Sequence, residues 1–231
     1  MILITRILVG LALGPAFLAA LFFLPPVPLA VVVAVIAAMA SFELLRASKV
    51  AHHNGMYVYT ALAAAAIPLG HSLGYGSWTA RAVSILLMAA LFLPALGRYG
   101  TGSEVRFEHI IVCLFGGVGI PLFLSALVQL KRLDNGQFYV LLPVICAFTT
   151  DIGAYFVGVF FGKHRGITQV SPNKSLEGFV GGVLSGCLFM LVYGLLVGWA
   201  GHIEVRLSVM ALYGLLGSAV TELGDLSFSL V

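Results

Sequence analysis

From Ile7 to Leu226 the chain is a succession of apolar runs broken only by short polar or Gly/Pro segments. Each run is close to the roughly 20 residues that cross a bilayer as an α-helix, and no other feature restricts the fold as strongly. Eight runs are read as spans: Ile7–Leu24, Val27–Leu45, Tyr57–Leu73, Ala82–Leu96, Ile110–Leu130, Phe138–Phe161, Phe179–Ala200 and Leu207–Leu226. Only 9% of the residues are charged and 61% are hydrophobic, against roughly 25% charged in soluble domains. Lipid must therefore replace water around most of the surface. The expected fold is an all-α, polytopic transmembrane bundle forming a single integral-membrane domain over residues 1–231.

Breaks between the runs set the local geometry. Pro25-Pro26 leaves almost no loop and predicts a tight hairpin between the first two runs. The third and fourth runs are short, and Pro68 with the Gly70–Gly76 link predicts that one of them is kinked or only partly spanning. The N-terminal run follows Arg6 without a clear A-x-A cleavage site and reads as the first span, not as a signal peptide. Small residues recur at helical spacing, at Ala154, Gly158 and Gly162 and again at Gly178, Gly182 and Gly186, a pattern that lets helix backbones approach closely.

Loop charges give an orientation. With the N-terminus inside, the inner segments hold Arg6, Arg46, Lys49, Arg98, Arg106, Lys163, Arg165 and Lys174, and the outer ones Arg81, Lys131, Arg132 and Arg206. The positive-inside rule then puts the loop from Lys163 to Lys174 in the cytoplasm of a cell-membrane protein, with Lys131-Arg132 as a discordant pair. The scattered basic residues exclude a nucleic-acid stripe and suit anionic lipid headgroups. Cys113, Cys146 and Cys187 lack disulfide or zinc spacing, and so do the histidines at 52, 53, 71, 109 and 202.

Two features carry chemistry. The segment from Phe161 to Gly178 is the one long polar and basic stretch. Within it, Lys163, His164, Arg165 and Lys174 supply positive charge, Ser171, Asn173 and Ser175 supply hydrogen bonds, and Pro172 fixes a turn. These residues are the candidate phosphate-binding set. The helix start at Glu177-Gly178 adds free backbone N–H groups. Gly158 to His164 is one residue short of a P-loop and is not one. The second feature is a set of carboxylates inside apolar runs, each costly enough in a bilayer to imply function. Asp151 lies in the sixth run, and Glu222 and Asp225 lie three apart in the eighth, on one helix face that Thr221 can share. Carboxylates for a hard cation beside cations for phosphate suit magnesium, with Asp225 and Glu222 as candidate ligands and a second cation conceivable.

Taken together, Asp151-Ile-Gly-Ala-Tyr155, Phe161-Gly-Lys-His164, Ser171-Pro-Asn-Lys-Ser175, Glu177-Gly178, Gly181-Gly182 and Gly224-Asp225-Leu226 resemble the phosphatidate cytidylyltransferase (CDP-diacylglycerol synthase) family. The resemblance is strong from Tyr139 to Val231, so residues 1–136 read as N-terminal spans and 137–231 as the half that carries the catalytic motifs. It implies transfer of the cytidylyl group of CTP to phosphatidic acid with magnesium, in a homodimeric helical membrane protein. By position, Asp225 would be a metal ligand, Lys174 with Ser171 and Ser175 would contact phosphate, Asp151 would match an intramembrane aspartate near the site, and Ser229 a serine that precedes a Lys-Arg pair. The catalytic residues expected are Asp151, Lys174 and Asp225. Two departures stand out: Phe228 replaces an acidic residue common in the family, and the family pattern continues past the position of Val231 through a second metal-binding carboxylate. On that pattern the chain is expected to be truncated and inactive by itself. A CTP-dependent polyprenol or lipid kinase, and a small transporter using the three carboxylates as a cation relay, are the alternative readings.

Overall fold

The computed structural model describes residues 14–49, 54–100, 105–166, 171–172 and 174–230. Among them the regular structure is helical, apart from one isolated antiparallel bridge between Arg165 and Ser175. The chain divides into two compact units, one ending at Val140 and the other beginning at Leu141.

In the first unit, α1 (Gly14–Phe23) and α2 (Pro26–Ala47) are separated by two residues. Pro25 is extended, with φ −61° and ψ 164°, and Pro26 occupies the first turn, where its missing N–H costs nothing. Next come α3 (Asn54–Ser72) and α4 (Gly76–Gly97). The link between them turns at Gly74, whose φ of +87° a side chain would oppose. The following run is expected to be one continuous helix, but it is built as α5 (Phe107–Leu114), a π turn (Phe115–Gly119) and α6 (Ile120–Lys131). Pro121 has no N–H to continue the α ladder, and the turn before it widens. The Ser41 hydroxyl donates to the Gly116 carbonyl inside that turn. A short α7 (Gly136–Tyr139) closes the unit. Leu45, Met56, Ala63, Leu87, Leu91, Ile110 and Cys113 form its apolar core.

Lys131 and Arg132, discordant in the charge count, have a local explanation. Lys131 Nζ donates to the Leu21 and Phe22 carbonyls at 2.6 Å each, and Arg132 donates to the His71 carbonyl at 2.6 Å. Both cations therefore satisfy carbonyls at the C-terminal ends of α1 and α3, where the helix dipole also favours them.

The second unit consists of α8 (Leu141–Phe161), α9 (Leu176–Gly201) and α10 (Leu207–Phe228). The small-residue faces expected of α8 and α9 meet. A Cβ at Gly178 would stand 2.9 Å from the Ala154 carbonyl oxygen and 3.2 Å from Gly158 Cα, so only glycine permits that approach. Deeper in the unit, Thr150 Oγ1 and Ser218 Oγ are hydrogen-bonded at 2.8 Å, which ties α8 to α10.

Six described helical segments are long and apolar enough to span a membrane: Pro26–Ala47, Gly76–Gly97, Phe107–Lys131, Gly136–Phe161, Leu176–Gly201 and Leu207–Phe228. The expected eight runs are thus an approximate count. The run Ile7–Leu24 lies partly outside the described residues, and its described part is the ten-residue α1. The run Tyr57–Leu73 is present as the 19-residue α3, whose polar and small residues keep it out of the six. The fourth run is longer than expected, because α4 begins at Gly76 instead of Ala82. Large apolar side chains such as Leu93, Phe123 and Trp199 point outward. That is a surface for hydrocarbon, since soluble proteins rarely expose apolar area so freely. The protein is a multi-pass membrane protein.

Candidate active site

The second unit holds an open cavity of about 520 Å³ that runs from the basic loop to the middle of α8. Asp151 from α8, Arg165 and Lys174 from the loop, Ser175 at the cap of α9, and Glu222 and Asp225 from α10 line it. Ala154, Val159 and Phe179 supply apolar wall, and Tyr155 adds an aromatic ring that carries a hydroxyl.

The loop is fastened at both ends. Ser175 caps α9, its hydroxyl accepting from the Gly178 N–H at 3.1 Å. Leu176 N–H donates to the His164 carbonyl at 3.0 Å and Gly166 N–H to the Lys174 carbonyl at 3.3 Å, so the two loop stems pair. Glu177, in the first turn of α9, accepts from the His164 backbone N–H at 3.2 Å and contacts His164 Nδ1 at 2.6 Å. Lys174 N–H donates to the Ser171 carbonyl at 3.2 Å, in keeping with a turn at Pro172.

Lys174 reaches from this loop to both α10 carboxylates. Its Nζ lies 2.8 Å from Glu222 Oε2 and 2.5 Å from Asp225 Oδ2. The i, i+3 spacing read from the sequence puts the two carboxylates side by side, and one ammonium bridges them. Burial alone would lower the pKa of Lys174, but the hydrogen bonds to Asp225 and Glu222 and their negative charge outweigh it and raise the pKa above the ordinary lysine value. The two carboxylates differ sharply in environment, since Glu222 is 2% exposed and the Asp225 side chain 56%. Glu222 Oε1 is buried and has no hydrogen-bond partner among the described residues. It faces Gly182, where a Cβ would stand 2.7 Å away.

Of the candidate residues, Asp151, Arg165, Lys174, Ser175, Glu222 and Asp225 are brought together, whereas Lys163, His164, Ser171 and Ser229 do not line the cavity. Lys163 is exposed, and His164 is held on Glu177. Ser229 follows α10 and donates its hydroxyl to the Asp225 carbonyl at 2.9 Å. Asn173 lies outside the described residues. Thr221 does not join Asp225; its hydroxyl donates instead to the Gly217 carbonyl at 2.9 Å. Sequence reasoning missed the clamp made by Glu177, although an acidic residue in the first turn of a helix is a legible signal. It also missed the apolar wall, which has no signal because its residue types are those that face lipid.

No group of three or more His, Cys, Asp or Glu side chains converges as a metal cage among the described residues. A magnesium site does not require one: one or two carboxylates, several waters and substrate phosphates are its usual shell. The half-exposed Asp225 at the cavity wall fits such an ion, whereas Glu222 beside it is 2% exposed and paired with Lys174.

An acidic pair bridged by a lysine shares its cavity with Arg165 in a chain of helices long and apolar enough to span a membrane, an arrangement that suits an integral-membrane enzyme of phosphate chemistry. The comparisons make this specific. The model of the cytidylyltransferase family matches residues 4–231, and the chain belongs to that family. The phosphatidate cytidylyltransferase of Mycobacterium bovis is 30% identical over 237 residues, covering 95% of this chain and 73% of the relative. That of Mycobacterium tuberculosis is 30% identical with coverages of 95% and 68%. The enzyme of the same name from Bacillus subtilis is 25% identical over 224 residues, with coverages of 96% and 81%. The chain is therefore a nucleotidyltransferase.

Proposed function

We propose that the protein transfers the cytidylyl group of CTP to phosphatidic acid, giving CDP-diacylglycerol and pyrophosphate. The observation that carries this reading is the convergence of Arg165 and Lys174 with Asp151, Glu222 and Asp225 around one cavity, in a chain of the cytidylyltransferase family.

A phosphate oxygen of phosphatidate attacks the α-phosphorus of CTP. The new P–O bond forms as the α–β bridging bond breaks, and pyrophosphate departs with the electron pair. No protein nucleophile is needed, so catalysis rests on positioning and charge stabilisation. Arg165 makes no ion pair among the described residues, which leaves its planar fork for phosphate oxygens. Lys174 is the second cation, and Asp225 is the carboxylate open to magnesium. When bound, that ion would offset phosphate charge and favour departure of pyrophosphate. Asp151 adds a third carboxylate to the cavity lining. The apolar wall keeps the acyl chains of the lipid in hydrocarbon while the headgroup enters.

The same reading places the loop at the cytoplasmic face, supported by the eight-to-four bias of loop cations, and the chain in a homodimer, as the family resemblance implies. The test is pyrophosphate release from CTP in detergent, with and without phosphatidate and magnesium. Release should require all three components and should yield a cytidine-bearing lipid. Formation of CDP and a phosphorylated lipid would refute the reading in favour of a kinase.

A further inference from the structure

Glu222 and Asp225 look interchangeable on one helix face, but the cavity treats them differently. Glu222 is 2% exposed and behind the Lys174 ammonium, which lies 2.8 Å from its Oε2. Gly182 leaves the space occupied by its Oε1, which is unpartnered among the described residues. Asp225 receives the same ammonium at 2.5 Å from the open side. A divalent cation that sheds its waters reluctantly can meet Asp225 at the cavity. Meeting Glu222 would mean stripping a buried carboxylate of its counter-charge.

We propose that Glu222 is a positioning residue, not a metal ligand: it anchors the Lys174 ammonium in the cavity once Asp225 is given over to a cation, so that the donors freed from Asp225 turn to the triphosphate. The role rests on the cytidylyltransferase reading and divides the labour of its two α10 carboxylates. A lysine ammonium carries three donors on a flexible four-carbon stem. Without the Glu222 anchor it would compete with the cation for Asp225 or leave the cavity. With the anchor, one donor stays fixed and the others are available.

The test separates the two carboxylates with manganese as the probe and no nucleotide present. Binding of Mn2+ to the detergent-solubilised protein is read by electron paramagnetic resonance. Asp225→Asn should weaken it by about tenfold or more, whereas Glu222→Gln, which keeps the shape and an acceptor for Lys174, should change it by less than about threefold. Affinity for CTP, measured by equilibrium dialysis with Mn2+ present, should fall on the order of tenfold in Glu222→Gln. The double variant with Lys174→Met should bind CTP no worse than Lys174→Met alone, because Glu222 acts through Lys174. Absence of Mn2+ binding in the unsubstituted protein, equal loss of Mn2+ binding in Glu222→Gln and Asp225→Asn, or multiplying effects on CTP affinity would each overturn the assignment. Failure of the underlying reading shows separately, as Mn2+ and CTP binding without transfer of the cytidylyl group to phosphatidate.

Discussion

Replacing Lys174 by Met should destabilise the second unit. The substitution keeps much of the side-chain bulk but leaves Glu222, 2% exposed, without its counter-ion. Removing one member of a buried ion pair typically costs about 3–5 kcal/mol. At about 2–4 °C per kcal/mol for a chain of this size, the unfolding midpoint should fall by roughly 6–20 °C. The measurement is thermal unfolding in detergent, followed by circular dichroism, with Lys174→Met/Glu222→Gln as the control. That double variant removes the bare charge and should recover most of the loss. A double variant as unstable as the single one would refute the claim that an uncompensated Glu222 is the cause.

Further outcomes follow from the same geometry. Asp225→Asn should lower turnover at saturating CTP and phosphatidate by about 100-fold or more, if Asp225 supplies a charge contact realised in the transition state; near-normal pyrophosphate release would remove it from the site. Gly182→Ala puts a Cβ 2.7 Å from Glu222 Oε1 and 3.0 Å from the Thr150 carbonyl oxygen, so about 1–3 kcal/mol of overpacking is expected, read as a lower unfolding midpoint. Ser175→Ala removes the cap on the Gly178 N–H and should cost about 1 kcal/mol, with faster proteolysis of the loop that precedes α9. Because the pKa of Lys174 is raised in the folded protein, its contribution is fully present below the ordinary lysine value of 10.5 and is lost as the pH rises through the folded value. The stability gap between the unsubstituted protein and Lys174→Met should therefore not begin to close on the alkaline side until about pH 10.5 is passed.

Hydropathy by itself determined that this is a helical membrane protein, because a bilayer offers no solvent hydrogen bonds and each apolar run must satisfy its own backbone. It also singled out the Phe161–Gly178 loop and the carboxylates at 151, 222 and 225, since charge inside such a chain is rare enough to be conspicuous. The close approach of α8 and α9 was legible too, in small residues at a spacing of four. Periodicity could not say how a run ends or breaks: Pro121 opens a π turn in one run, and α4 begins six residues before its expected start. Loop charge counting could not know that Lys131 and Arg132 are spent on helix carbonyls. Only the tertiary structure decided which of two carboxylates on one helix face is buried and which is open to solvent. The packing of α8, α9 and α10, with Gly182 leaving the space, puts Glu222 behind Lys174 and Asp225 in front of it. Burial belongs to the helices around a residue and not to its place on its own helix, so the sequence listed both carboxylates alike.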